Sequence, residues 1–283
     1  MSKVSELSTE QTQTLEKLVN SLPEILEEAE YDELFGQQLT VSGQFYNDKA
    51  TRNLLFKFLK ANNWNYDAAK EQLSNTLEWR KEFNPLSAAF SEVHDHKFDK
   101  VCVVTQYGDE VTTWNMYGAS SGVKATELFK DLDKFLRFRI GAMERSLQLL
   151  DFASEDKDYM NQLHDYEGVS FLKFDADIKK GSKATIQIFQ DNYPELLKRK
   201  LFVNVPTVMY WVYELVKRWL SKDTTKKFTL LSNSKNVVKT LGDDVPEKYG
   251  GKGKPLLEQN VKDVYPSPYA AYLLQQAVAN EVE

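Results

Sequence analysis

The triplet His164-Asp165-Tyr166, inside "NQLHDYEGVSFLKFDAD" at 161–177, sets an imidazole and a phenol two residues apart. In an extended chain residues i and i+2 share a face, roughly 6.5–7 Å apart. Such a pair can face one cavity together, or can simply be hydrogen-bonded in a packed core. The apolar run that follows predicts a strand over 168–177 with the triplet at its mouth.

A second residue for chemistry is Arg139. A helix is expected over 124–152, with Leu128, Leu132, Phe135 or Leu136, Met143, Leu147 and Leu150 forming its apolar stripe. Arg139 falls inside that stripe. A buried guanidinium without an anion is strongly unfavourable, so it needs a protein carboxylate or the carboxylate or phosphate of a ligand. Arg137 and Arg145 lie off the stripe and read as solvated. His94 and His96, in "EVHDHKF", read as surface residues of a charged connector.

These residues need a scaffold. Residues 8–29 read as one helix, with Thr9 as its cap. "KATRNLLFKFLKANNWNYDAAKEQLSNTLEWRKEF" reads as two more, broken at Asn62-Asn63. From about residue 98, β-branched runs alternate with helices: "KVCVVTQY", "EVTTWNMYG", "GVSFLKFDAD", "LFVNVP" and "KFTLLS" against helices at 124–152, 182–199 and 207–221. That alternation predicts an α/β fold with crossover helices. The division expected is a small all-helical N-terminal domain (1–97), a sheet domain (98–265) and a C-terminal helix (266–283). The helix at 207–221, with Val208, Met209, Trp211, Val212 and Leu215, is apolar over much of its circumference. It reads as a core helix or as a mobile helix at a lipid interface. "KYGGKGKP" is a glycine loop that matches no phosphate-cradling pattern.

Bulk properties narrow the class. The 283 residues are 42% hydrophobic and 28% charged, with a net charge of −6. That balance suits a globular protein and argues against a general nucleic-acid binder. The single cysteine, Cys102, excludes an intrachain disulfide and a cysteine-cluster metal site. Its flanks make it a buried strand residue rather than a nucleophile. With no leader pattern and no apolar run near ~18 residues, the expectation is a cytoplasmic chain that meets membranes peripherally.

"LLFKFLKANNWNYDAAKEQLSNTLEWRKEF" resembles the N-terminal helical module of CRAL-TRIO proteins. "DNYPELLKRKLFVNVPTVMYWVYELVKRWLSKDTTKKFTLLS", followed by "KYGGKGK", resembles the lipid-binding module of fungal Sec-fourteen-like phosphatidylinositol transfer proteins. "EFNPLS", "FRIGAMERSLQLLDF", "HDYEGVS" and "FVNVPTV" are similar to a haem-binding, non-classical subgroup of that family. The resemblance covers roughly residues 50–265. It implies a CRAL-TRIO fold: a mixed sheet floored by helices, and an apolar pocket closed by a gate helix near 207–221.

The resemblance also implies ligands. Glu195 and Lys227 match the positions that hold the inositol phosphate. Where classical members carry "S-C-T-I-M-D-L-K-G", this chain has Met160 to Gly168, "MNQLHDYEG". Loss of the Ser/Thr pair puts phosphatidylcholine binding in doubt, and two apolar pocket residues have become His164 and Tyr166. Tyr166 matches the subgroup's axial ligand to ferric haem b, Tyr117, Arg139 and Lys200 match further haem contacts, and His164 stands beside the ligand. A phenolate suits ferric iron. His164 can add a hydrogen bond or a positive charge beside it, and Arg139 would meet a haem propionate. The reading expected is a phosphatidylinositol-binding and transfer protein that also binds haem. It would associate transiently with endoplasmic reticulum or other membranes and would not be an enzyme. A haem-dependent peroxidase-like enzyme and a haem sensor acting through protein partners are the alternatives.

Overall fold

The computed structural model describes residues 3–118, 121–169, 176–206 and 222–282. The expected first helix is two, α1 (Thr9–Asn20) and α2 (Leu22–Ala29). Pro23, in the first turn of α2, lacks the N–H that a continuous helix would need there. The cap of α1 is Ser8, not Thr9: its side chain accepts from the Gln11 N–H while the Gln11 side chain accepts from the Ser8 N–H. A short ribbon, β1 (Glu33–Leu34) with β2 (Gln37–Gln38), leads to α3 (Asp48–Ala61) and α4 (Tyr66–Phe83). Between those helices Asn63 and Trp64 take left-handed φ values of 51° and 64°, which ends α3 as expected. Helix α5 (Pro85–Phe90) follows.

The sheet has the order β3 (Cys102–Tyr107), β4 (Glu110–Met116), β5 (Met160–Asp165), β6 (Leu197–Val203), β7 (Phe228–Leu231). The β3–β4 pair is antiparallel, and every later pair is parallel. The crossover elements include α6 (Ala125–Phe129), α7 (Leu132–Leu147) and α8 (Ala176–Asn192). The helix expected over 124–152 is therefore broken, and Asp131 caps α7 through the Lys134 N–H. The helix expected over 182–199 is shifted to α8, and residues from Leu197 onward already belong to β6.

One strand was misplaced in the sequence reading. The strand of the triplet is β5, which precedes Tyr166; Ala176 already begins α8, and residues 170–175 lie outside the described residues. All six residues of β5 are buried, so this central parallel strand lacks the in-out polarity that marks a half-solvated one.

Period-2 alternation gives the sheet two different faces. One carries Trp114, Met116, Leu163, Leu201 and Val203, packed with Val245, Tyr249 and Leu256. The other carries Asn115, His164 and Phe202 in register across β4, β5 and β6, with Thr113, Gln162 and Lys200 one step back. Toward the far end of this face, Val104, Val111 and Met160 join Leu54, Leu55 and Phe58 of α3 and Ile140 and Met143 of α7 in one core. Helix–sheet packing therefore runs from the N-terminal helices into the sheet without a break in the core.

Candidate functional site

The polar face of the central strands is the candidate site. Tyr117 follows β4, and its N–H donates to the Asp165 carbonyl at 3.1 Å. This brings its ring 5.8 Å from His164 and 5.9 Å from Tyr166. The His164 and Tyr166 rings are 6.5 Å apart with 17° between their planes, the same-face relation that the i, i+2 spacing demands. Phe202 completes the group, 5.4 Å from His164 and 6.4 Å from Tyr166 at 18° and 12°. Three strand ends thus present four rings, with the planes of His164, Tyr166 and Phe202 within 18° of one another and Tyr117 tilted 37° from Tyr166. Gly118 lets them meet: a Cβ there would collide with the Glu167 carbonyl oxygen.

The electrostatics of this face are unusual. Arg139 is 2% exposed and its guanidinium lies 4.7 Å from the Phe189 ring centre, yet its Nε and Nη1 have no hydrogen-bond partner among the described residues. Among the described residues no carboxylate pairs with it, so the internal salt bridge weighed from the sequence is not observed. Both ring nitrogens of His164 are likewise buried without a partner. Burial, then the charges of Lys200 and Arg139, push the imidazole well below its ordinary pKa. That shift favours the neutral form, so a hydrogen bond suits His164 better than a positive charge. Lys200 is half-buried, yet so enclosed by protein atoms that burial and Arg139 push its amine down to about 8. The Tyr166 hydroxyl is pushed up by burial and then by Tyr117; burial also raises Tyr117, partly offset by Arg139.

Two cations, a neutral imidazole and two high-pKa phenols therefore line one patch, where Arg139 Nε and Nη1 and both His164 nitrogens lack partners among the described residues. Such atoms are normally satisfied. The set suits a flat anionic ligand with a hard metal at its centre: Arg139 and Lys200 for carboxylates, a phenol oxygen for ferric iron.

The second expected pair also comes together. Lys227 donates to the Glu195 carboxylate at 2.9 Å, and Lys60 of α3 reaches the same oxygen at 3.1 Å. Burial raises that carboxyl, but Lys227 and Lys60 together hold it below the usual range. Glu195 sits at φ 51°, a left-handed conformation just before β6. Beneath it Lys57, 1% exposed, pairs with Asp158 at 2.7 Å.

The sequence reading missed Phe202, Phe189 and Lys60, whose roles come only from cross-strand and helix–sheet packing. The spacing of Lys57 and Lys60, one helical turn apart, was a usable signal for the last. Arg137 is not merely solvated: it pairs with Glu92 and donates to the Phe83 carbonyl. Arg145 donates to the Lys262 carbonyl at 3.1 Å. His94 is half-buried, with Nε2 2.7 Å from the Ala88 carbonyl oxygen, and His96 is exposed. Cys102 lies in β3 as expected, half-buried, with its thiol pushed up by burial. The proposed gate, 207–221, lies outside the described residues.

Residues 14–75 match the CRAL/TRIO N-terminal domain, and residues 99–251 match the CRAL/TRIO domain. The chain belongs to the CRAL-TRIO family. Among CRAL-TRIO relatives, the Kluyveromyces lactis phosphatidylinositol transfer protein SFH5 is 48% identical over 280 residues, 96% of this chain and 92% of that protein. The Saccharomyces cerevisiae protein of the same name is 44% identical over 287 residues, covering 96% and 97%. A solved CRAL-TRIO structure, the crystal structure of Sfh5, superposes with a TM-score of 0.89 at 42% identity, covering 96% of this chain and 98% of that one. The mixed sheet and the helical N-terminal module are those of this family.

Proposed function

We propose that this CRAL-TRIO protein binds and transfers phosphatidylinositol, and that the polar patch of its sheet binds ferric haem b. The transfer reading rests on relatives named as phosphatidylinositol transfer proteins at 44–48% identity over nearly the whole chain. Glu195 and Lys227 would hold the headgroup, the lysine at the phosphate and the carboxylate at an inositol hydroxyl. Transfer needs no covalent chemistry, so the protein acts as a carrier rather than an enzyme. Membrane contact would be peripheral, at the endoplasmic reticulum or another membrane. Among the described residues no helix is long and apolar enough to cross a bilayer.

The observation that carries the haem reading is that, among the described residues, buried Arg139 Nε and Nη1 and both His164 nitrogens have no partner, beside Tyr166. Haem, when bound, supplies a ferric Lewis acid that stabilises an anionic oxygen ligand. Tyr166 would be that ligand, Arg139 and Lys200 would hold the propionates, and neutral His164 would hydrogen-bond beside the phenol. Tyr117 would pack against the macrocycle. The test is the absorption spectrum of protein purified under haem-replete conditions. A ferric Soret band lost in Tyr166→Phe, with lipid transfer retained, is the expected result. A colourless wild-type protein would refute haem binding.

A further inference from the structure

Asp165 lies between the two residues that face the patch, so its own side chain points through the sheet to the opposite face. It is fully buried. Its carboxylate accepts from Asn204 Nδ2 at 2.7 Å, Tyr249 Oη at 2.8 Å, Lys248 Nζ at 3.1 Å and the Glu167 N–H at 3.0 Å. Burial raises the Asp165 carboxyl, and these donors more than reverse it, so the group is held ionised.

Two of these donors come from "KYGGKGKP", the glycine loop that matched no phosphate pattern. The loop is rigidly built. Gly250 takes φ +90° against the Lys235 carbonyl, where a Cβ would collide. Ser234 Oγ donates to the Lys248 carbonyl at 3.1 Å, and the N–H groups of Lys252 and Gly253 bond back to Asp243 and Val245. The Tyr249 ring packs 4.9 Å from Trp114, and Lys248 also reaches Glu167 at 2.7 Å.

On the strand side, the Asp165 carbonyl accepts from the Tyr117 N–H at 3.1 Å, and the Tyr166 N–H donates to the Val203 carbonyl at 3.0 Å. Both tyrosines of the patch therefore hang on the backbone of one residue whose side chain is clamped from behind. A strand end left unclamped opens locally at low cost, whereas a ligating oxygen needs placement to within about 0.5 Å.

We propose that the glycine loop is a latch, and that Asp165 is the positioning residue through which Lys248 and Tyr249 orient Tyr117 and Tyr166 toward the ligand. The loop acts from the face opposite the ligand, through the Asp165 carboxylate. The idea rests on the haem reading for its purpose, but not for its mechanics.

The experiment uses the full chain with Tyr249→Phe, which keeps the ring on Trp114 and removes only the hydroxyl, and with Lys248→Met. Amide hydrogen exchange at Tyr117 and Tyr166 is measured in the haem-free protein, followed by the ferric absorption spectrum after haem is added. The expected result is exchange about tenfold faster at those two amides with α3 amides unchanged, together with a displaced ferric band at unchanged haem stoichiometry. Unchanged exchange at both amides, or uniformly faster exchange across the sheet with an unshifted band, would overturn the latch. A wild-type protein that takes up no haem would remove the haem reading alone, because the exchange result still decides the mechanics.

Discussion

Arg139 and Lys200 stand on one patch of the structure, where among the described residues no carboxylate pairs with Arg139, and Arg139 helps to hold the Lys200 amine near 8. Two like charges kept together without an acid are a standing electrostatic cost. A bound dianion would relieve it, which links the affinity of the site to pH.

For a metal-free porphyrin dicarboxylate, which takes no phenolate, affinity is expected to fall as pH rises through about 8, because the free protein loses the Lys200 proton there. The limiting slope is about tenfold per pH unit. Titrations with metal-free protoporphyrin at pH 7 and pH 9.5 check it, and Arg139→Met should raise the Lys200 pKa, read by NMR of the lysine side chain. The sign for stability is opposite. From about 8 up to the ordinary lysine value the unfolded chain binds the extra proton, so the empty fold gains stability with pH across that window.

Lys227→Ala removes one of the two ammonium groups on Glu195 and leaves Lys60 in place. Phosphatidylinositol transfer between labelled vesicles should drop about tenfold, equivalent to about 1.4 kcal/mol of binding. The ferric band should stay, since Lys227 is not among the residues around Tyr166. Loss of both activities with the fold intact would contradict the separation of the two sites.

Arg80 of α4 is fully buried, reaching Glu33 at 2.9 Å and Glu144 of α7 at 2.7 Å, with Tyr193 also donating to Glu144. This network ties the N-terminal helices to the sheet domain. Arg80→Met would strand two buried carboxylates and should cost about 3–5 kcal/mol in urea unfolding. Glu33→Gln should cost less, since burial pushes its carboxyl up and Arg80 would keep Glu144.

Gly118→Ala would drive a Cβ into the Glu167 carbonyl, which cannot move aside as a flexible side chain can. A cost of about 1–3 kcal/mol is expected, with the backbone shift carried into Tyr117 next door. Thermal unfolding and haem affinity should both register it. An unaltered affinity would mean that the approach of the two strand ends is not needed for binding.

The i, i+2 relation of His164 and Tyr166 and the break at Asn62-Asn63 were legible from spacing and local backbone preference. The anomaly of Arg139 was legible too, because a charge inside an apolar stripe announces burial before any coordinates exist. The break at Lys130-Asp131 was not, since apolar residues continue on both sides and only the Asp131 cap, formed on folding, divides α6 from α7. The strand of the triplet was displaced for a related reason. A strand buried on both faces and carrying polar residues toward a site shows no hydrophobic alternation to read.

By itself the sequence determined the element types, the helical N-terminal module and the side chains able to meet an anionic ligand, because these depend on neighbours within a few residues. Tertiary structure alone decided that Arg139 finds no carboxylate among the described residues, that burial pushes the His164 imidazole toward its neutral form, and that Lys60 joins Lys227 on Glu195. Those outcomes depend on burial and on charges brought together from distant parts of the chain, and both arise only when the helices close over the sheet.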